Sequence, residues 1–302
     1  MSQKQTVGVV GLGSMGIGMA KILATKGFRV VGFDLSEERR TAAAANIEAV
    51  ARLEDVFSQS KFIVFSLPTA RDVESVVNEY MSLLSGAGTR VIIIDTSTSE
   101  PDVSRELARK LNDSGHGFLD APVSGGPSGA ASGNLTMMIG GSETDVALAR
   151  PVIEALASKI LHVGPNGAGN VAKLVNNLLV AAHMITTSEG LKLAAAAGIE
   201  PEAALRVVNA ASGRSFISEV HFPTWIMSDR FDSGFSMALM RKDVRLAREL
   251  AAQTGVDLPL TGLVGKLWAS SVDRLSDTDD FTRMGALASE PSKLAKKAAS
   301  NG

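Results

Sequence analysis

At 302 residues the chain is long enough for two domains, each with its own core; 45% hydrophobic and 21% charged residues are ordinary for a soluble globular protein. A net charge of −2 without a dense basic run in the body excludes nucleic acid as the expected partner, and the lack of cysteine excludes disulfides, thiol catalysis and cysteine metal sites. His116, His162, His183 and His221 show no metal-ligand spacing and read as structural, and no metal is expected. The N-terminus runs straight into a strand with no signal-peptide pattern, and no apolar run has membrane flanks, so a cytoplasmic protein is expected.

The first predicted strand, 6–10, leads into Gly11-Leu12-Gly13-Ser14-Met15-Gly16, a helix over 15–26 that stops at Gly27, and a second strand over 28–33 closed by Asp34. A lone G-x-G-x-x-G is weak, but strand, glycine loop, helix and acid-terminated strand together form the setting of a dinucleotide fingerprint. Gly11 permits the tight turn, Gly13 lets backbone approach a pyrophosphate, and Gly16 allows helix and strand to pack closely. The helix N-terminus offers N–H donors and a positive dipole end to the phosphates. Asp34 suits the adenosine ribose hydroxyls and repels a 2′-phosphate, which predicts NAD over NADP; Arg39 and Arg40 partly offset that acid.

The alternation continues with a strand over 62–67 stopped by Pro68, a helix over 70–84, and the apolar strand 91–95, whose pattern fits a parallel strand covered on both faces. Leu67, Pro68 and Thr98 fall at the carboxyl ends of these strands, where the nicotinamide half of a dinucleotide would lie; Thr98 also fits a helix cap before Pro101. In the stretch 117–127, Ser124, Gly125 and Gly126 expose backbone N–H groups suited to a carboxylate. The segment 127–133 reads as turn-like, followed by a strand over 135–139, a helix over 143–156 and a last strand over 160–163.

Residues 167–197 read as one long helix buried on more than one side, with Lys173 and Asn177 one turn apart on one face. Pro201 opens the next predicted helix, 202–211, and 216–227, 240–255 and 258–272 follow, which makes a helical bundle. Arg214, in Ser-Gly-Arg-Ser, is a candidate for a substrate carboxylate or for a salt bridge at a helix end. The tail from Ser289 is basic, rich in small residues and expected to be mobile.

Four ordered segments resemble the β-hydroxyacid dehydrogenase family: the glycine loop 11–16, Asp-Ala-Pro-Val-Ser-Gly-Gly at 120–126, Gly-Ala-Gly-Asn-Val-Ala-Lys-Leu-Val-Asn-Asn at 167–177, and Phe235 with Met-Arg-Lys-Asp at 240–243. The resemblance implies an α/β chain: an N-terminal Rossmann-type doubly wound sheet (1–165), then an all-α domain (166–288) entered through the long helix. It also implies that Lys173 is the catalytic lysine, that Asn177 positions substrate, that Ser124, Gly125 and Gly126 hold the substrate carboxylate, and that Phe235 and Lys242 close over the cofactor. The implied reaction is hydride transfer between NAD and a small 3-hydroxy acid or its semialdehyde. Acids like 3-hydroxyisobutyrate are favoured, with tartronate semialdehyde and 2-(hydroxymethyl)glutarate as alternatives. Outside the class stand an imine reductase, against which Lys173 argues, and a silent dinucleotide-binding protein. The apolar length of the helix and the family both lead to an expected homodimer or homotetramer.

Overall fold

The computed structural model describes residues 5–85 and 90–287, and the basic tail lies outside them. The chain divides into two compact units, 1–174 and 175–302.

Unit one alternates strand and helix: β1 (Thr6–Val10), α1 (Ser14–Thr25), β2 (Arg29–Phe33), α2 (Glu37–Ala43), β3 (Glu48–Ala49), α3 (Glu54–Gln59), β4 (Phe62–Phe65), α4 (Ala70–Ser85), β5 (Ile92–Asp95), α5 (Pro101–Asp113) and β6 (Gly117–Asp120). These six strands are parallel in the order β3-β2-β1-β4-β5-β6. Alternate residues feed opposite cores, as in β5, where Ile92 and Ile94 pack with Val7, Met19 and Leu119 while Ile93 packs with Phe65, Val73 and Leu107. That two-sided burial is why the strands carry uninterrupted apolar runs.

Beyond β6 the sheet changes direction. β7 (Val123–Ser124), α6 (Gly126–Ser132), β8 (Leu135–Gly140), α7 (Glu143–Leu156) and β9 (Ala157–Gly164) follow in sequence. β8 runs antiparallel to both β6 and β7, and β9 lies parallel to β8. The turn-like reading of 127–133 is corrected here, because Pro127 opens a helix whose small residues serve close packing. A Cβ on Gly18 of α1 would sit 3.0 Å from the Ala131 nitrogen, so α1 and α6 touch backbone to backbone.

Unit two is helical. Its elements are most of α8 (Ala168–Ala196), α9 (Pro201–Ala210), a π-helical segment Ile217–Ile226, α10 (Met237–Thr254), α11 (Pro259–Ser270) and α12 (Arg283–Leu287). Trp268 is fully buried in this core and donates from Nε1 to the Ala181 carbonyl at 3.2 Å. The segment 216–227 is helical as expected, but wound as a π-helix with Pro223 inside it. Burial of α8 on more than one side does not hold within the chain. Val175, Leu179 and Leu193 lie half or more exposed, and Leu260 and Leu263 of α11 are exposed as well. Among the described residues no helix is long and apolar enough to cross a membrane.

Candidate active site

The strand order reverses between β1 and β4, and ligands of open α/β sheets collect at the carboxyl ends of strands beside such a reversal. The predicted loop lies there. Gly11 adopts φ +90°, and a Cβ on it would lie 2.3 Å from the Ser66 carbonyl oxygen. A Cβ on Gly16 would lie 1.8 Å from the Gly11 carbonyl oxygen, so both positions are closed by backbone. Gly13 differs: the nearest atom to its Cβ position is an Arg39 guanidinium nitrogen at 3.9 Å. Gly13 is also the residue before α1 and provides no side-chain cap, and the first turn of the helix carries no acidic residue of its own. A cradle open at Gly13, in front of a helix N-terminus, fits a dinucleotide pyrophosphate.

Asp34 is buried at the end of β2, where its carboxylate accepts N–H bonds from Leu12 at 2.8 Å and Ser36 at 2.9 Å. Arg39 approaches the same carboxylate at 3.4 Å, and Arg40 donates to the Asp34 carbonyl at 2.7 Å. At the ends of β4 and β5, the Leu67 N–H donates to Ser97 Oγ; Pro68 is exposed and Thr98 half-buried. Ser124 ends β7, and Gly125 and Gly126 follow with φ of +130° and +62°, conformations that favour glycine.

The start of α8 is held by polar side chains that are themselves buried. Asp120 accepts N–H bonds from Gly167 at 2.7 Å and Asn170 at 3.0 Å. Asn170 Oδ1 accepts the Ser99 N–H at 2.9 Å, and its Nδ2 donates to Ser104 Oγ at 3.0 Å. Burial pushes the Asp120 carboxyl above the ordinary carboxylate range, against the pull of the surrounding N–H groups. Lys173 follows on α8 and is 7% exposed, well below the norm for lysine.

In unit two, Asn177 is buried, and its amide donates to Asp243 Oδ2 at 2.5 Å while its Oδ1 accepts from Asn176 at 3.0 Å. Lys242 Nζ lies 3.7 Å from the other Asp243 oxygen. Phe235 packs edge-on against Phe281, which in turn meets His221. Burial holds the His221 imidazole below its ordinary value. Arg214 is exposed and pairs with Glu219 at 3.6 Å, the salt-bridge geometry weighed from sequence.

Asp120, Asn170 and Asp243 stand inside the motifs read from sequence, but the sequence alone assigns them no role. For Asp243 a signal existed: on α10 it shares the buried face with Met240, Val244 and Ala247, and a carboxylate at such a position needs partners.

Comparison with known proteins extends this picture. Residues 6–164 match the model of the NAD-binding domain of 6-phosphogluconate dehydrogenase, and 167–288 match the NAD-binding domain described for NADP-dependent 3-hydroxyisobutyrate dehydrogenase. A 2-(hydroxymethyl)glutarate dehydrogenase of Eubacterium barkeri is 36% identical over 89% of this chain and 89% of its own length. The chain belongs to the β-hydroxyacid dehydrogenase family. The mitochondrial 3-hydroxyisobutyrate dehydrogenase of Drosophila melanogaster is 34% identical, over 92% of this chain and 87% of its own. A solved Mycobacterium tuberculosis 3-hydroxyisobutyrate dehydrogenase, described with L-serine, superposes with a TM-score of 0.87 at 32% identity, covering 94% of this chain and 99% of that one. A Streptomyces aurantiacus imine reductase, 19% identical with a TM-score of 0.63, shares the fold alone. As a β-hydroxyacid dehydrogenase the chain is an oxidoreductase with a nicotinamide-dinucleotide-binding domain.

Proposed function

We propose that the chain oxidises the primary alcohol of a small 3-hydroxy acid, or reduces the matching semialdehyde, with acids like 3-hydroxyisobutyrate favoured. The observation that carries this reading is a buried lysine, Lys173, one helical turn before a buried asparagine, Asn177, in a chain with a dinucleotide loop. The dinucleotide, when bound, supplies the hydride acceptor; Leu12, Gly13, Ser14, Met15, Leu67, Pro68, Thr98, Phe235 and Lys242 would hold it. Lys173 takes the hydroxyl proton in oxidation and returns it in reduction. Asn177 has two amide N–H donors, one engaged by Asp243, which leaves the other to orient the substrate oxygen. Ser124, Gly125 and Gly126 hold the carboxylate through the hydroxyl and backbone N–H groups.

The runner-up substrate is 2-(hydroxymethyl)glutarate, the acid named for the Eubacterium barkeri relative. Its second carboxylate would suit Arg214, exposed and only loosely paired with Glu219. Initial rates with 3-hydroxyisobutyrate, 2-(hydroxymethyl)glutarate, D-glycerate, L-threonate and L-serine separate these readings. Turnover of none of them with either cofactor would overturn the proposal.

NAD is the preferred cofactor in this reading because the Asp34 carboxylate stands at the end of β2. Arg39, 3.4 Å from it, moderates that preference. Asp34→Ser is expected to lower kcat/KM with NAD and raise it with NADP, shifting the ratio by roughly tenfold or more. Arg39→Ala is expected to remove residual NADP use. An unchanged NAD/NADP ratio in Asp34→Ser would sink the assignment.

The protein is proposed to work in the cytoplasm as a homodimer or homotetramer. Support comes from the exposed stripe of Val175, Leu179 and Leu193 on α8, apolar area of the kind another subunit covers. Light scattering behind a sizing column is expected to give at least twice the chain mass, and Leu179→Glu with Leu193→Glu to reduce it. A wild-type monomer at all concentrations would rule this out.

A further inference from the structure

The first turn of α8 is built in an unusual way. A helix start leaves N–H groups without partners, and the residue before the helix normally caps them with its own side chain. Here that residue is Gly167, at φ +89°, which has no side chain. The cap comes instead from Asp120, at the end of β6, whose two carboxylate oxygens take the N–H groups of Gly167 and Asn170. Asn170 then ties the same turn sideways, to the Ser99 N–H before α5 and to Ser104 Oγ within it. The backbones meet without space between them. A Cβ on Gly169 would lie 2.4 Å from the Asp120 carbonyl oxygen and 2.5 Å from that of Met138.

A local cap leaves a helix free to slide or roll on its support; these bonds, to the end of β6 and to the start of α5 at once, do not. A slip by one residue would break all four and would turn Lys173 by about 100° and move it about 1.5 Å along the axis. Asp120 and Asn170 are both fully inaccessible, so neither is placed to handle the substrate's proton itself. We infer that Asp120 and Asn170 are positioning residues for Lys173, fixing the first turn of α8 against the end of β6 and the start of α5 and thereby the place of the lysine. This rests on the reading of Lys173 as the proton-transferring group.

The test compares wild type, Lys173→Ala, Asp120→Asn and Asn170→Ser as full chains, with 3-hydroxyisobutyrate and NAD. Asp120→Asn keeps shape but sets an amide against an N–H donor. Asn170→Ser removes the lateral ties and leaves the backbone bond to Asp120, so it remains informative if the first variant fails to fold. Each is expected to lower kcat by roughly 10- to 100-fold. The dissociation constant for NAD, read by fluorescence, should stay within about twofold and KM for the acid within about threefold. A primary deuterium isotope effect on kcat should rise as hydride transfer becomes limiting. If Asn170→Ser melts earlier yet keeps kcat within about threefold while Lys173→Ala is inactive, the bonds serve stability alone and the inference fails. Equal rates in wild type and Lys173→Ala would overturn the reading of the lysine, and the inference with it.

Discussion

Lys173→Ala is expected to lower kcat by roughly 10²- to 10⁴-fold, the usual contribution of a positioned acid–base group, while NAD affinity stays within about twofold. The expectation follows from its place: a lysine 7% exposed, in the first turns of a helix whose start is fastened to the sheet. Lys173→Arg should not restore the rate, because a guanidinium does not give up its proton near neutral pH. Steady-state kinetics with fluorescence titration of NAD check both variants. Retention of kcat/KM within about tenfold in Lys173→Ala would end the assignment.

A paired substitution in the glycine loop should separate folding from binding. Gly16→Ala places a methyl group 1.8 Å from the Gly11 carbonyl oxygen, a collision with backbone that no rotamer relieves. It is expected to cost about 3 kcal/mol of stability, the upper range for overpacking, and to abolish cofactor binding by deforming the loop. Gly13→Ala places its methyl at ordinary contact distance, 3.9 Å from an Arg39 guanidinium nitrogen, at φ −64°, a conformation alanine adopts freely. Its stability should therefore stay within about 0.5 kcal/mol, while NAD binding weakens by roughly tenfold or more, because the methyl fills the space read as the pyrophosphate seat. Urea unfolding and NAD titration of the two variants measure both effects. Normal NAD affinity in Gly13→Ala would show that the dinucleotide does not approach the loop there.

What was legible in the sequence was what neighbouring residues determine. The glycine loop lies between a β-branched run and a mostly apolar helix, so its type followed from local pattern, as did the two-sided burial of β5 from the apolar run 91–94. The helix over 126–132 was not legible, because Gly-Pro-Ser-Gly-Ala-Ala-Ser has the composition of a turn and is helical through close packing on Gly18. The π-helical winding at 217–226 also escaped, since its spacing differs from an α-helix by less than short apolar patterns resolve.

In the candidate site, Lys173 and Asn177 stood out as polar residues in an apolar run, whereas the bonds around them join distant segments. Asp120 meets Gly167 and Asn170 across about fifty positions, and Asn177 meets Asp243 across more than sixty. Nothing local to Asp120 sets it apart from any acid that ends a strand. The exposed stripe on α8 shows the opposite limit: its apolarity was plain in the sequence, but the same letters describe a residue buried in its own chain and one left exposed on it.

The remote cap on α8 also bears on the order in which the molecule assembles. Starting a helix is the unfavourable step of its formation, and a side chain within the same segment ordinarily helps from the outset. Here the carboxylate arrives from β6, so the first turn of α8 gains its support only after that strand has joined β5 and β8. The turn that leads into Lys173 is thus expected among the later parts of unit one to settle. During synthesis the strands it needs have already left the ribosome when Gly167 emerges, so chain order and assembly order agree.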